Sequence, residues 1–126
     1  MHFREAGSVT VGEKAKNFLR TEPQNTIFSA KRLMGKSYND LKEHNSFFTY
    51  IIIDDDTESL VKVQVGKRFY SPIGLSSFIL KELKQRPELI LKTPVNNAVI
   101  TVPTYFTDPK RQANSHACKL DDRVVC

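Results

Sequence analysis

The stretch Asn25–Ser37, NTIFSAKRLMGKS, sets Lys31 and Arg32 side by side and ends in Gly-Lys-Ser. Adjacent cations followed by glycine and a hydroxyl suit the holding of a phosphate. A loop of the form G-x-x-x-x-G-K-[ST] does this because its glycines let successive backbone N–H groups curl around the anion. The window that aligns with it is AKRLMGKS, Ala30–Ser37, and its first position is alanine. The residues ahead of Gly35 also fall at helical spacing, so a helix is predicted where the loop would have to be. A phosphate cradle of that kind is excluded, and Lys31-Arg32 reads from composition as a solvated basic helix face.

Other chemistry-bearing residues are sparser. The acidic run DDDTES, Asp54–Ser59, starts like a calcium loop. Ser59 stands where that loop needs glycine, and Val65 stands where it needs its last glutamate, so the run reads as a solvated hairpin turn. His2, His44 and His116 are scattered, none at ligand spacing from a cysteine or carboxylate, and read as surface histidines. No metal site and no nucleophilic triad can be drawn. Phe69-Tyr70 and Tyr105-Phe106 could stack on bases, but aromatic pairs at strand ends more often belong to the core. Cys118 and Cys126 form no CxxC pair and read as free thiols of a reducing, cytoplasmic compartment.

The elements that must position these residues are legible in outline. Val9–Val11 reads as a strand end and EKAKNFLR as a short helix. Asn25 is a suitable N-cap for a second helix, with Ile27, Phe28, Ala30, Leu33 and Met34 at helical spacing and Gly35 as its stop. The runs Phe47–Ile53 and Leu60–Val65 are β-rich, and Gly66-Lys67 turns the chain into Arg68–Tyr70, which predicts an antiparallel meander. Val61, Val63 and Val65 alternate with Lys62 and Gln64, giving one buried and one wet face. Ser71-Pro72 opens the longest helix, with Leu75, Phe78, Ile79 and Leu83 as its stripe. Pro87 should kink or end it, with helix resuming in ELILKTP. Asn97–Pro103 is β-branched and apolar on both faces, which suggests a central strand. Asp108 caps a last helix from Pro109.

A chain of 126 residues holds one modest domain, with no repeat or linker. No apolar run approaches the roughly 20 residues that cross a bilayer, and the N-terminal residues do not read as a secretory signal. The net charge of +5 favours anionic partners without choosing among them. The cations are dispersed, so neither nucleic acid nor membrane is expected as a partner.

Three blocks in order then carry a family likeness. VGEKAKNFLRTEPQNTIFSAKRLMGK, YSPIGLSSFILKELK and NNAVITVPTYFTDPKRQA resemble the ATPase domain of the DnaK-type heat-shock chaperones, nearest the HscA-type branch that serves iron–sulfur cluster assembly. The likeness covers roughly residues 8 to 120. It implies an α/β, actin-like and ribonuclease-H-like ATPase fold, of which this chain would be part of the first lobe. Residues 8–94 would form the peripheral subdomain, and residues 95–120 one strand and one helix of the base.

By the same likeness, Lys31 reaches the transferring phosphate and its attacking water, and Arg32 lies near the nucleotide. Pro103 is a switch that reports nucleotide state, Arg111 relays it to the substrate domain, and Tyr105 lies between them. ATP and magnesium are the cofactors of the complete domain. Its partners are unfolded or client polypeptides, a J-domain co-chaperone and a nucleotide-exchange factor, and its setting is the cytoplasmic stress response.

The chain departs from the family pattern in places. The first phosphate loop, D-L-G-T-T, does not precede residue 8, and the second loop, the adenosine pocket and the catalytic carboxylates would lie past residue 126. His116 and Cys118 replace the Asp and Gly of the family's D-A-G helix, and Gly74 replaces a usual glutamate. The chain therefore reads as a truncated gene product that binds no cofactor tightly and does not hydrolyse ATP alone. The alternative is a non-enzymatic interaction or regulatory module that self-associates or binds a co-chaperone through uncovered sheet edges.

Overall fold

Alternation in the valine run organises the core. β3 (Ile51–Ile53), β4 (Lys62–Val65) and β5 (Arg68–Tyr70) form the predicted antiparallel meander in the order β3-β4-β5. Ile52 pairs with Val63, and Val63 with Tyr70. Val61, Val63 and Val65 are buried while Lys62 and Gln64 are partly wet, because successive strand side chains take opposite faces. The fold comes from a computed structural model and is described for residues 1–54 and 61–119, leaving aside the side chains of His44 and Asn45. The acidic turn therefore lies, after Asp54, outside the described residues.

A second ladder joins β1 (His2–Phe3) to β2 (Val9–Thr10), pairing His2 with Thr10 and Phe3 with Val9. Phe3 packs 4.8 Å from the Tyr70 ring and 5.8 Å from the Phe78 ring, tying both sheets to one core. His2 is buried, not at the surface as its scattered position suggested. It stacks on Phe18 at 3.9 Å, and its Nδ1 lies 3.1 Å from the Thr26 hydroxyl. Burial is tolerable because the imidazole has a hydrogen-bond partner. The short helix expected at EKAKNFLR is α1 (Glu13–Lys16) followed by a 3-10 turn, Asn17–Leu19.

The helix predicted from Asn25 to Gly35 does not form. The segment instead carries 3-10 turns at Pro23–Asn25 and Ala30–Arg32, separated by extended Thr26 and by Ser29 at φ 53°. The reason is tertiary: the Ile27 carbonyl, which a helix would offer to the Lys31 amide, instead accepts from the Met1 ammonium at 2.7 Å. The apolar pattern nonetheless reported burial correctly, since Ile27, Ala30, Leu33 and Met34 are all inside. Gly35, at φ 63°, turns the chain into Ser37, which caps α2 (Tyr38–Leu41) reciprocally with Asp40. A 3-10 stretch, Lys42–Phe47, leads back to β3.

α3 (Pro72–Leu91) starts as read, with the Ser71 hydroxyl accepting from the Gly74 amide at 3.0 Å and Pro72 in the first turn. It runs through Pro87 without ending. The missing N–H deprives the Leu83 carbonyl of its helical donor, and Leu83 is exposed enough for solvent to take that place. The Lys84–Glu88 pair at 3.5 Å spans the proline. α4 (Asp108–Lys119) packs across α3, with Met34, Ala113 and Ala117 forming a second core cluster against Ile73 and Leu80.

Two further expectations are corrected here. Beyond Asn97, the run to Val102 belongs to no strand among the described residues, and Val99 is 95% exposed. β-branched composition favours an extended chain, but a sheet also needs a neighbour to pair with. Cys118 is buried and disulfide-bonded, so it is not a free thiol. A reading from compartment alone carries no information about which sulfurs meet.

Candidate functional site

Lys31 is held by what flanks it. Ala30 and Leu33 are both buried, the Arg32 amide donates to Ser29 at 2.9 Å, and the Leu33 amide donates to Ala30 at 3.0 Å. This 3-10 turn fixes the Lys31 backbone and leaves its side chain outside. The expected α-helical seat is thus a shorter, tighter turn with the same consequence for the side chain.

The ammonium does not point at open water alone. Lys31 Nζ lies 5.4 Å from the centroid of the Phe106 ring. Phe106 ends the loop that begins at Pro103, and its amide donates to the Pro103 carbonyl at 3.1 Å. Arg111, one turn into α4, donates through Nε to the Phe106 carbonyl and through Nη2 to the Thr104 carbonyl, each at 3.1 Å. Tyr105, between these carbonyls, is 80% exposed. Lys31, named from the first block of sequence, therefore meets the loop of the third block that carries Pro103 and Tyr105 and that Arg111 fastens.

Arg32 goes elsewhere. Its guanidinium sits 4.7 Å from the Phe47 ring, at the edge of an aromatic group that includes Phe28, Phe48 and Tyr50. The Tyr50 hydroxyl in that group donates to the Phe28 carbonyl at 2.7 Å, and burial pushes its phenol well above its ordinary value. Adjacent residues on a tight turn diverge, so Lys31 and Arg32 do not form one double cation.

Sequence reasoning passed over three members of the cluster. Phe106 was weighed only as half of an aromatic pair. Lys110 adds a second ammonium 5.7 Å from the same ring. Gly35 lets α4 approach, because a Cβ there would lie 3.1 Å from Lys110 Cγ and 3.5 Å from its backbone nitrogen. The legible signal for Gly35 was the Gly-Lys-Ser tail, read first as a phosphate motif. In the fold, Lys36 instead passes its carbonyl to Val61, and Ser37 serves α2.

Electrostatically the cluster is cationic and unneutralised. Among the described residues the ion pairs are Lys84–Glu88 and Arg86–Glu82, with His2 Nε2 lying 3.7 Å from Glu22, and none of these contacts involves Lys31, Arg32, Lys110 or Arg111. Such a group can meet an anion of several charges. Among the described residues no three of His, Cys, Asp and Glu gather where a metal could be held, and no helix is long and apolar enough to cross a membrane.

Compared with known proteins, residues 1–121 match the Hsp70 protein family. The chain belongs to the Hsp70 family. Over 120 residues it is 39% identical to the chaperone protein HscA homolog of Acinetobacter baylyi, a match that covers 95% of this chain and 18% of that relative. The Hsp70 chain is thus part of an Hsp70-type ATPase domain, and its mixed helices and antiparallel sheets agree with a partial actin-like lobe. That family implies ATP and magnesium in the whole domain. The residues present fit the two unequally. The exposed cation Lys31 suits a phosphate chain, whereas among the described residues no acidic cluster suits the metal.

Proposed function

We propose that this Hsp70 chain carries one wall of the ATP cleft of a DnaK-type chaperone, with Lys31 as the cation that meets the transferring phosphate and Arg32 beside the nucleotide. Residues 8–94 act as the peripheral subdomain and residues 95–120 as one strand and helix of the base. Pro103, Tyr105 and Arg111 pass the state of the nucleotide outward. The single observation that carries this reading is the convergence of Lys31 with the Pro103–Phe106 loop and Arg111. A cation resting on a loop that another cation fastens gives a physical link between a phosphate and a distant surface. The wider roles follow the family: ATP-driven holding and release of client polypeptides with a J-domain co-chaperone and an exchange factor, in the cytoplasmic stress response and iron–sulfur cluster assembly.

These residues alone do not turn over ATP. Phosphoryl transfer gains from positioning and from several charges acting together, and one lysine cannot supply the stabilisation of an assembled site. The test is a pair of measurements. The purified chain with ATP and magnesium shows no turnover that Lys31→Gln removes. Grafted in place of the matching residues of the Acinetobacter relative, the same sequence supports ATP hydrolysis, and Lys31→Gln lowers kcat by about 100-fold or more. A graft whose turnover ignores that substitution overturns the role of Lys31.

A second reading is favoured by one observation. Leu83, Val99 and Ile100 are exposed around a shallow apolar depression that Pro87 and Val95 also line. A surface of that kind suits contact with another copy of the chain.

A further inference from the structure

We propose that Phe106 is the positioning residue for Lys31: its ring parks the ammonium beside the Pro103–Phe106 loop, and Lys110, on the same ring, sets how readily that ammonium leaves for an anion. This rests on the phosphate-facing role proposed for Lys31.

The geometry is that of one seat with two occupants. Lys31 Nζ and Lys110 Nζ lie 5.4 and 5.7 Å from the centroid of the Phe106 ring. A cation within about 6 Å of an aromatic face is drawn by the ring's quadrupole. Two cations on one ring share that attraction and repel each other. Neither takes part in an ion pair among the described residues, so the ring is what holds them.

The seat itself is rigid. Phe106 is buried, its amide is bonded to the Pro103 carbonyl, and its carbonyl is bonded to Arg111. The Lys110 stem packs over Gly35, which has no Cβ to hold it off, and Lys110 is partly buried while Lys31 is exposed. Lys31 sits on a fixed turn but ends in a long flexible stem. The ring therefore stays and the Lys31 ammonium moves. An ammonium donates a charge-assisted hydrogen bond to a phosphate oxygen, which an aromatic face cannot match. When such an anion arrives, Lys31 leaves the ring and Lys110 keeps it. Ring and loop are one bonded piece, so the exchange changes the load on the segment that carries Pro103 and Tyr105.

The test reads the lysines directly by NMR of the full chain, labelled with carbon-13 at lysine Cε and assigned with Lys31→Arg and Lys110→Arg. Ring current moves protons above an aromatic face upfield. The expected result is that the Hε signals of Lys31 and Lys110 lie upfield of the other lysines. Phe106→Trp keeps that shift, and Phe106→Leu, which retains apolar volume, abolishes it while the α4 amide spectrum stays native. Tripolyphosphate, added without magnesium or nucleotide, returns the Lys31 signal to the unshifted position and leaves that of Lys110 upfield. Lys31 signals identical in the native chain and Phe106→Leu overturn the seat. Tripolyphosphate that moves both lysines alike, or neither, overturns the exchange. A purely structural role for Phe106 would disturb the α4 amides without ordering the Hε shifts by ring type. None of these readings uses ATP turnover, so their failure leaves the chaperone reading standing, and a graft without turnover leaves them measurable.

Discussion

Arg111 donates to the carbonyl of Phe106 at 3.1 Å and in the same fork reaches Thr104, fastening the loop in front of α4 to the helix that follows it. A guanidinium can do this because its donors are planar and fixed. A lysine offers one mobile point of charge. Arg111→Lys is therefore expected to keep the fold and loosen the loop, at a cost of about 1 kcal/mol for partly exposed bonds. Amide exchange checks it: the Phe106 N–H, bonded to Pro103, should exchange several-fold faster, with the α3 amides unchanged.

Two glycines in the left-handed region separate backbone strain from crowding. Gly66 has φ 58° with nothing within 4 Å of an added Cβ, whereas Gly35 has φ 63° with Lys110 Cγ at 3.1 Å. Gly66→Ala carries strain alone, about 1 kcal/mol. Gly35→Ala carries the same strain and also pushes on α4, so its loss should exceed that of Gly66→Ala by about another 1 kcal/mol. Urea unfolding of the two variants gives the comparison, and equal losses would mean that Lys110 simply gives way.

The Ser37–Asp40 capping box gives the chain an acid-sensitive contribution. The Ser37 amide donates to Asp40 Oδ2 at 2.9 Å, and the Ser37 hydroxyl donates to it at 3.0 Å. The backbone bond first, and the hydroxyl bond second, hold this carboxyl below its ordinary value of 3.8. A depressed folded-state value means that the carboxylate favours the folded chain, fully so above 3.8, and that the contribution disappears as pH falls through the folded value. The native chain should therefore exceed Asp40→Asn in urea midpoint at neutral pH, and the two should converge in strong acid. A gap that persists there would assign the effect to something other than ionisation.

How much of this was legible varies by element. The meander and the start of α3 were, because alternation and a Ser-Pro cap are local signals that the tertiary structure also obeys. The Asn25–Gly35 helix was misread because helical spacing reports which residues are buried and not how the backbone gets them there. A single carbonyl, that of Ile27, drawn to the Met1 ammonium diverts it. Strand β1 escaped notice, since two residues carry no period. For the site, likeness to a family picked out Lys31, Pro103, Tyr105 and Arg111. Phe106, Lys110 and Gly35 were invisible because what marks them is contact between distant parts of the chain, of Lys31 with Phe106 and of Gly35 with Lys110.

Around Pro87, Leu83 is 56% exposed, Val99 95% and Ile100 38%, forming an apolar patch without cover among the described residues. Burial of apolar surface is worth about 25 cal/mol per Å², and association itself costs at least about 4 kcal/mol, so a second copy bound through this patch is held weakly. The expected outcome is a mass in light scattering that rises with concentration. Val99→Asp should weaken that association about tenfold or more, because it would place a charge in the contact. It should not alter the unfolding midpoint, because position 99 packs on little within its own chain. A single monomer mass at high concentration would leave the patch without this partner. A drop in stability with Val99→Asp would show instead that the side chain is already engaged within the fold.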